Sequence, residues 1–261
     1  MYQFESDRFV LLIEGANAKV SNIQISQNRF RSADTGIRLQ AHNRQLEAVI
    51  IEHNHFENVE QALIGLIQST QETTNSGYFR DISVNDNLFL DLGQGVSFDA
   101  AASTSQSEDL YIVNNTFHQV DDTALSVSGV IEVAVYNNVF SFVERDLLIT
   151  RAGLDNNVQT SFSDFDFNLY WHTLYSAASG PEWLLDLGGD EQLLITSFDQ
   201  WGGVVHNHLA LAPGVASVFA DPLFADAEAF DFTPSLTFAL NGGRNGSGLG
   251  AFRNGLFPGI H

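Results

Sequence analysis

The chain has 261 residues, 44% of them apolar, no cysteine, and a formal net charge of −21 from 32 Asp and Glu against 11 Lys and Arg. That length and apolar content allow a sizeable core, and no apolar run is long enough to cross a bilayer as a helix. The missing cysteines exclude disulfides and thiolate-bound metal, and the acidity speaks against nucleic acid, anionic membranes and, unless cations intervene, polyanionic glycans.

The opening MYQFESDRF is acidic and polar, without the basic segment and apolar core of a secretory signal. Phe9 to Ile13 then reads as a strand. From Val20 an eleven-residue phrase recurs six times, each ending in Asn, any residue, then an aromatic. The copies are VSNIQISQNRF (20–30), LEAVIIEHNHF (46–56), FRDISVNDNLF (79–89), SEDLYIVNNTF (107–117), VIEVAVYNNVF (130–140) and the degraded TSFSDFDFNLY (160–170). Their Asn residues, 28, 54, 87, 115, 138 and 168, lie 26, 33, 28, 23 and 30 residues apart. A fixed phrase at a loose period predicts stacked coils joined by loops of changing length.

Before each Asn, Ile23/Ile25, Val49/Ile51, Ile82/Val84, Leu110/Ile112 and Val133/Val135 alternate with mostly polar or small residues, the pattern of a half-buried strand. A second alternation begins nine residues after the Asn at Ile37/Leu39, Leu63/Gly65, Val96/Phe98 and Leu147/Ile149, and one residue late at Leu125/Val127. Asn suits a sharp bend because its side chain tolerates left-handed backbone and bonds neighbouring amides, and equivalent amides stacked about 4.8 Å apart can bond one another. The aromatic two positions on points inward and stacks likewise. The expected fold is therefore all-β, a right-handed parallel β-helix (solenoid) with an Asn ladder.

It is read as a single domain over 1–261, with repeat coils 9–170, a non-repeat excursion near 171–213 packed against the flank, and closing coils 214–261. In the excursion Ser197 is placed to cap a short helix containing Phe198, Trp201 and Val204, with a return strand near Ser217 to Phe219. No amphipathic segment covers the first coil, whose open edge would be a liability. A preceding β-helix domain or a second subunit is expected there.

The phrase resembles the repeat of right-handed parallel β-helix proteins of the pectate-lyase-like superfamily, over roughly Phe9 to Phe252. The segment FADPLFADAEAFDFTPSLTFALNGGRNGSGLGAF (219–252) is similar to the closing coils of such proteins. The resemblance implies a secreted or cell-surface protein that handles a polysaccharide, neutral or acidic, as lyase or glycoside hydrolase. Two other readings stand beside it: a non-catalytic accessory β-helix domain of a larger polysaccharide lyase, and a structural or adhesive protein assembling by end-to-end stacking of coils.

Aligned on the Asn, the position six residues earlier holds Asn22, Ala48, Asp81, Asp109, Glu132 and Phe162. Asp81, Asp109 and Glu132 would stack on three neighbouring coils, as catalytic carboxylates or as oxygen ligands suited to Ca²⁺. Tyr111 on the same face and Arg80 beside Asp81 are candidate sugar contacts, as are Arg29 and His55, which share a column. The polar loops 68–77 and 99–107 are placed to wall a cleft. Lyase chemistry, as the resemblance implies it, needs Ca²⁺ and a basic residue, and Arg80 is the nearest arginine. Hydrolysis needs two carboxylates at a suitable separation, which Asp81 and Glu132, two coils or roughly 9 to 10 Å apart, satisfy only marginally for inversion. Asp121-Asp122, His53/His55 and His206/His208 are read as turn and bend residues rather than ligands.

Overall fold

The computed structural model describes residues 9–15, 18–42, 44–67, 77–101, 103–150, 160–172, 182–188, 191–198, 200, 216–227 and 231–251. They form an all-β architecture of long parallel sheets. One sheet has six strands: β2 (Val20–Ser26), β5 (Gln45–Glu52), β7 (Tyr78–Asn85), β9 (Ser107–Val113), β11 (Val130–Tyr136) and β13 (Phe162–Asp166), lying side by side in chain order. The other has eleven and runs β1 (Phe9–Gly15), β4 (Thr35–Ala41), β6 (His55–Ile67), β8 (Leu88–Asp99), β10 (Thr116–Ser128), β12 (Val139–Thr150), β14 (Leu169–Trp171) and β17 (Val218–Phe219). Off that path it takes in β3 (Arg29–Arg31) beside β6, β15 (Trp183–Gly188) beside β12, and β16 (Glu191–Ile195). From β4 to β14 successive strands alternate between the two sheets, each pairing in parallel with its counterpart of the next circuit.

The phrase residues hold successive circuits together. Nδ2 of Asn28, Asn54, Asn87, Asn115 and Asn138 each donates to Oδ1 of the next Asn at 3.1 Å. The backbone N–H of the same residue shares that oxygen at 2.9–3.0 Å. From Asn54 on, the Nδ2 also donates to a carbonyl of the preceding circuit, as from Asn87 to Ile51 O at 2.8 Å. Asn54 through Asn168 are 0% exposed, so this bonding is what makes burying five amides tolerable. Beside the ladder, Phe30, Phe56, Phe89, Phe117, Phe140 and Tyr170 stack face to face, with centroids 4.6–5.1 Å apart and ring planes within 10°. Each such pair adds about 1 kcal/mol beyond its buried area. The second alternation lines the rest of the core in the predicted register: Ile37 beside Leu63, Leu63 beside Val96, Val96 beside Leu125, Leu125 beside Leu147.

Two expectations differ. The excursion near 171–213 is partly core: β15 pairs in parallel with β12, Leu147 against Trp183, and Trp183 is 1% exposed. A buried indole extends the column of Leu147, and only its partner β16 turns back antiparallel. Ser197 does accept the N–H of Gln200 at 3.3 Å, as a cap should, while Trp201 and Val204 lie outside the described residues. The closing segment continues the coils only through the expected return strand, β17, which pairs in parallel with β14. β18 (Phe224–Asp226) and β19 (Asp231–Pro234) pair antiparallel, and Phe232 packs on the outward side chains Leu88 and Leu90. Ala239 and Leu249 then cover Val139 and Leu169. The tail is a strap, and apolar residues on the outward face of the later circuits explain why it lies there.

Candidate functional site

Within the six-stranded sheet the pairing skips one residue per strand. Ser21 pairs with Glu47 and Ile23 with Val49, leaving Asn22 and Ala48 between them; Arg80 pairs with Glu108 and Ile82 with Leu110, leaving Asp81 and Asp109. Each skipped residue is left-handed: Asn22 φ 60°, Ala48 51°, Asp81 54°, Asp109 61° and Glu132 58°. The predicted column of acids is thus a stack of left-handed bulges matched on both strands, which leave the register unshifted. Asn and Asp occupy left-handed backbone readily, whereas Ala and Glu pay about 1 kcal/mol or more for it. In the sixth circuit the pattern breaks, because Phe162 pairs with Val133 and turns into the core, so the column ends at Glu132.

Asp81 and Glu132 are exposed and Asp109 half-buried. Tyr111 stands among them. Burial raises its phenol pKa, and the charges of Asp109, Asp81 and Glu132 raise it further, with a side-chain hydrogen bond to Asp109. Among the described residues no three His, Cys, Asp or Glu side chains gather closely enough to hold a metal ion, so the acids form an open row. Arg80 forms an ion pair with Glu108 and lies 5.5 Å over the Tyr78 ring, and Lys19 is paired with Glu47. Of the two loops, 68–76 lies outside the described residues. The other folds on itself, Asp99 Oδ1 accepting the Ala101 N–H and Ser103 Oγ accepting that of Ser105 while donating to Gly77 O.

Arg29 and His55 do share a column, as adjacent partners of β3 and β6. Their side chains are committed elsewhere. Arg29 donates Nε and Nη2 to Glu57 Oε2 at 3.2 and 2.6 Å, and Arg31 donates to Glu57 Oε1 at 2.8 Å. Burial alone would raise the Glu57 carboxyl; the Arg29 hydrogen bond and the two arginine charges bring it below its ordinary value. His55 is 1% exposed, and burial, with the Arg29 charge, lowers its pKa to about 4. An imidazole so enclosed is packing and not a sugar contact.

Asp121 and Asp122 sit where β10 shifts register between Val120 and Thr123, and both are exposed. Asp122 Oδ1 accepts from Arg145 Nη1 of β12 at 3.1 Å and from Thr123 Oγ1 at 3.0 Å, so the pair sits within a strand at a register shift and not in the expected turn. His53 occupies a left-handed bend (φ 54°), while His55 is buried in the outward column of Arg29 and Leu88. His206 and His208 lie outside the described residues.

A further polar pair escaped the sequence reading. Asp146 is 0% exposed; its Oδ2 lies 3.0 Å from His172 Nε2 and accepts the Glu182 N–H at 2.8 Å, while Oδ1 is buried with no donor among the described residues. Its counterparts in earlier circuits are Gly36, Ala62, Gly95 and Ala124. These are small because a Cβ at Gly36 would press on the Phe56 ring and one at Gly95 on the Phe117 ring. A charged residue in a column of Gly and Ala was the available signal. The pair ties β12 to the residue that follows β14 and to Glu182, where the repeat ends.

Comparison of the chain with protein-family models, with curated proteins and with solved structures gives no match.

Proposed function

We propose that this protein is a right-handed parallel β-helix of the pectate-lyase-like kind that binds a polysaccharide along its six-stranded sheet. The observation that carries the reading is Tyr111 surrounded by Asp81, Asp109 and Glu132 on one open face. A ring with a polar tip gives a sugar an apolar surface and a hydrogen bond, and carboxylates in a row at strand spacing of about 4.8 Å offer acceptors to successive hydroxyls. Charge restricts the ligand. Arg80, Lys19, Arg29 and Arg31 are each spent on a glutamate, which favours a neutral glycan, or an acidic one bridged by Ca²⁺, over a bare polyanion.

The same pairing favours binding over cleavage, since an Arg80 held by Glu108 is a poor base for abstracting a sugar proton. Affinity electrophoresis against alginate, pectate, chondroitin and neutral glucans, with and without chelator, tests the reading. Retardation by at least one glycan, weakened tenfold or more in Tyr111→Ala, is expected; no retardation, or retardation indifferent to Tyr111, refutes it. Chelator-sensitive retardation would place Ca²⁺ in the row, and release of unsaturated product would replace binding by lyase activity.

A further inference from the structure

The Asn ladder has a direction. From Asn28 to Asn138 each side-chain amide donates to the Oδ1 of the next Asn toward the C-terminal end. At the C-terminal end the ladder is closed: Asn168 N–H donates to Ser217 Oγ at 3.0 Å, and that hydroxyl lies 3.3 Å from Asp166 Oδ1. At the other end Asn28 donates from both nitrogens, but among the described residues its Oδ1 receives no hydrogen bond; the residue is exposed. Among the described residues β1 and β2 likewise have no strand on their N-terminal sides, and Leu11, Ile13, Val20 and Ile23 of this end are only partly buried.

Charge singles out the same end. Residues 1–44 carry six Lys and Arg against four Asp and Glu, a net of +2, while the remaining 217 carry five against 28, a net of −23. Lys19, Arg29 and Arg31 are paired with glutamates of the second circuit, but Arg38 and Arg44 enter no ion pair among the described residues.

We propose that the first circuit is a docking face for an acidic β-solenoid module, whose terminal coil lies parallel to β1 and β2 and donates a side-chain amide to Asn28 Oδ1. The two features exclude a second copy in either orientation. Head to head, two Asn28 acceptors and two basic ends would meet; head to tail, β17 already lies against β14 and Ser217 Oγ already accepts the N–H of Asn168. A coil bearing Asn at its bend supplies both missing donors at once, as Asn28 itself does for Asn54. The inference rests on the ladder and the winding, and is independent of the glycan reading, which concerns a different face.

The probe is a labelled synthetic peptide of this chain's own residues 45–56, QLEAVIIEHNHF, which carries two glutamates and the bend amide of Asn54. Its binding to the full chain is followed by fluorescence anisotropy. Saturable binding is expected, at least tenfold weaker for the peptide with Asn54→Asp, whose carboxylate cannot donate, and weaker at raised salt. Protein Asn28→Leu should lose the binding, while Asn28→Asp, which keeps the acceptor, retains it. Absence of binding, or equal affinity for the two peptides, overturns the proposal. So does a dimer or fibre in light scattering that Asn28→Leu abolishes, because it would assign the end to a second copy.

Discussion

His172 Nε2 lies 3.0 Å from Asp146 Oδ2 where the repeat ends, and the two side chains are 8% and 0% exposed. Burial raises the Asp146 pKa. Burial of His172 works the other way, but the Asp146 charge and hydrogen bond outweigh it and raise the imidazole above 6.5. Folded, the pair therefore holds protons that the unfolded chain releases. The His172 contribution is complete below 6.5 and is lost as pH rises through the raised value, and a raised Asp146 acts in the same sense from 3.8 upward. The melting temperature should fall above neutral pH, and Asp146→Asn should flatten that fall. Asp146→Ala, which strands the imidazole, should cost about 3 kcal/mol in urea unfolding. A slope unchanged in Asp146→Asn would show that the pair does not govern it.

Two other imidazoles act at the opposite end of the pH scale. His55 is buried beside Arg29, and His118 is enclosed edge-on by Phe142, Phe224 and Phe232; burial lowers both to about 4. The unfolded chain then binds protons that the folded one refuses between 6.5 and about 4, so stability is lost as pH falls through that window. Each accounts for up to about 3 kcal/mol. Urea midpoints between pH 7 and pH 4 should drop steeply in the native chain and less in His118→Leu, where the clasp of phenylalanines remains apolar. An equal drop in both would remove His118 from the account.

The ladder should show a gradient along its length. Asn87→Leu removes the acceptor of Asn54 and the donors to Ile51 O, Asn85 O and Asn115 Oδ1, all but the Asn85 bond fully buried, and should cost on the order of 4 kcal/mol. Asn28→Leu removes an exposed terminal rung and should cost about 1 kcal/mol, with the fold intact by circular dichroism. Equal losses would mean that the amides do not cooperate as a stack.

The ladder and the aromatic stack were legible because their chemistry is local. Asn, one residue, then Phe carries its own bend and its own inward ring, and an alignment on the Asn brings equivalent residues into register without knowledge of the loops. The row of Asp81, Asp109 and Glu132 followed from the same alignment. Its left-handed backbone did not, because Ala48 and Glu132 occupy the bulge although neither favours it, and alternation of apolar residues hides a skipped pairing. Asp146 and His172 were out of reach for a different reason. They meet only after the repeat has ended, so no periodicity relates them. The strap is similar: Phe232 reaches Leu88 across more than half the chain, and only the outward-facing Leu88 and Leu90 hinted that something covers them.

The left-handed column offers a test of the bulges that also bears on function. Ala48 holds φ 51° without the side-chain bonding that eases Asn or Asp into this region, so Ala48→Gly should stabilise the protein by about 1 kcal/mol, less the entropy glycine adds to the unfolded chain. Glu132→Asn should also stabilise, by a few tenths of a kcal/mol or more, because Asn is the more tolerant residue at φ 58°. The two should part in glycan retardation. Ala48 bears no acceptor, so its variant should bind as the native chain does, whereas Glu132→Asn removes one carboxylate of the row around Tyr111 and should weaken binding severalfold. The opposite change inside the coil is a control: Gly65→Ala drives a Cβ into the Phe98 ring and should cost about 1–3 kcal/mol in urea unfolding. If Ala48→Gly destabilised by a comparable amount, the bulge would not be carrying left-handed strain and the row of acids would need another geometry.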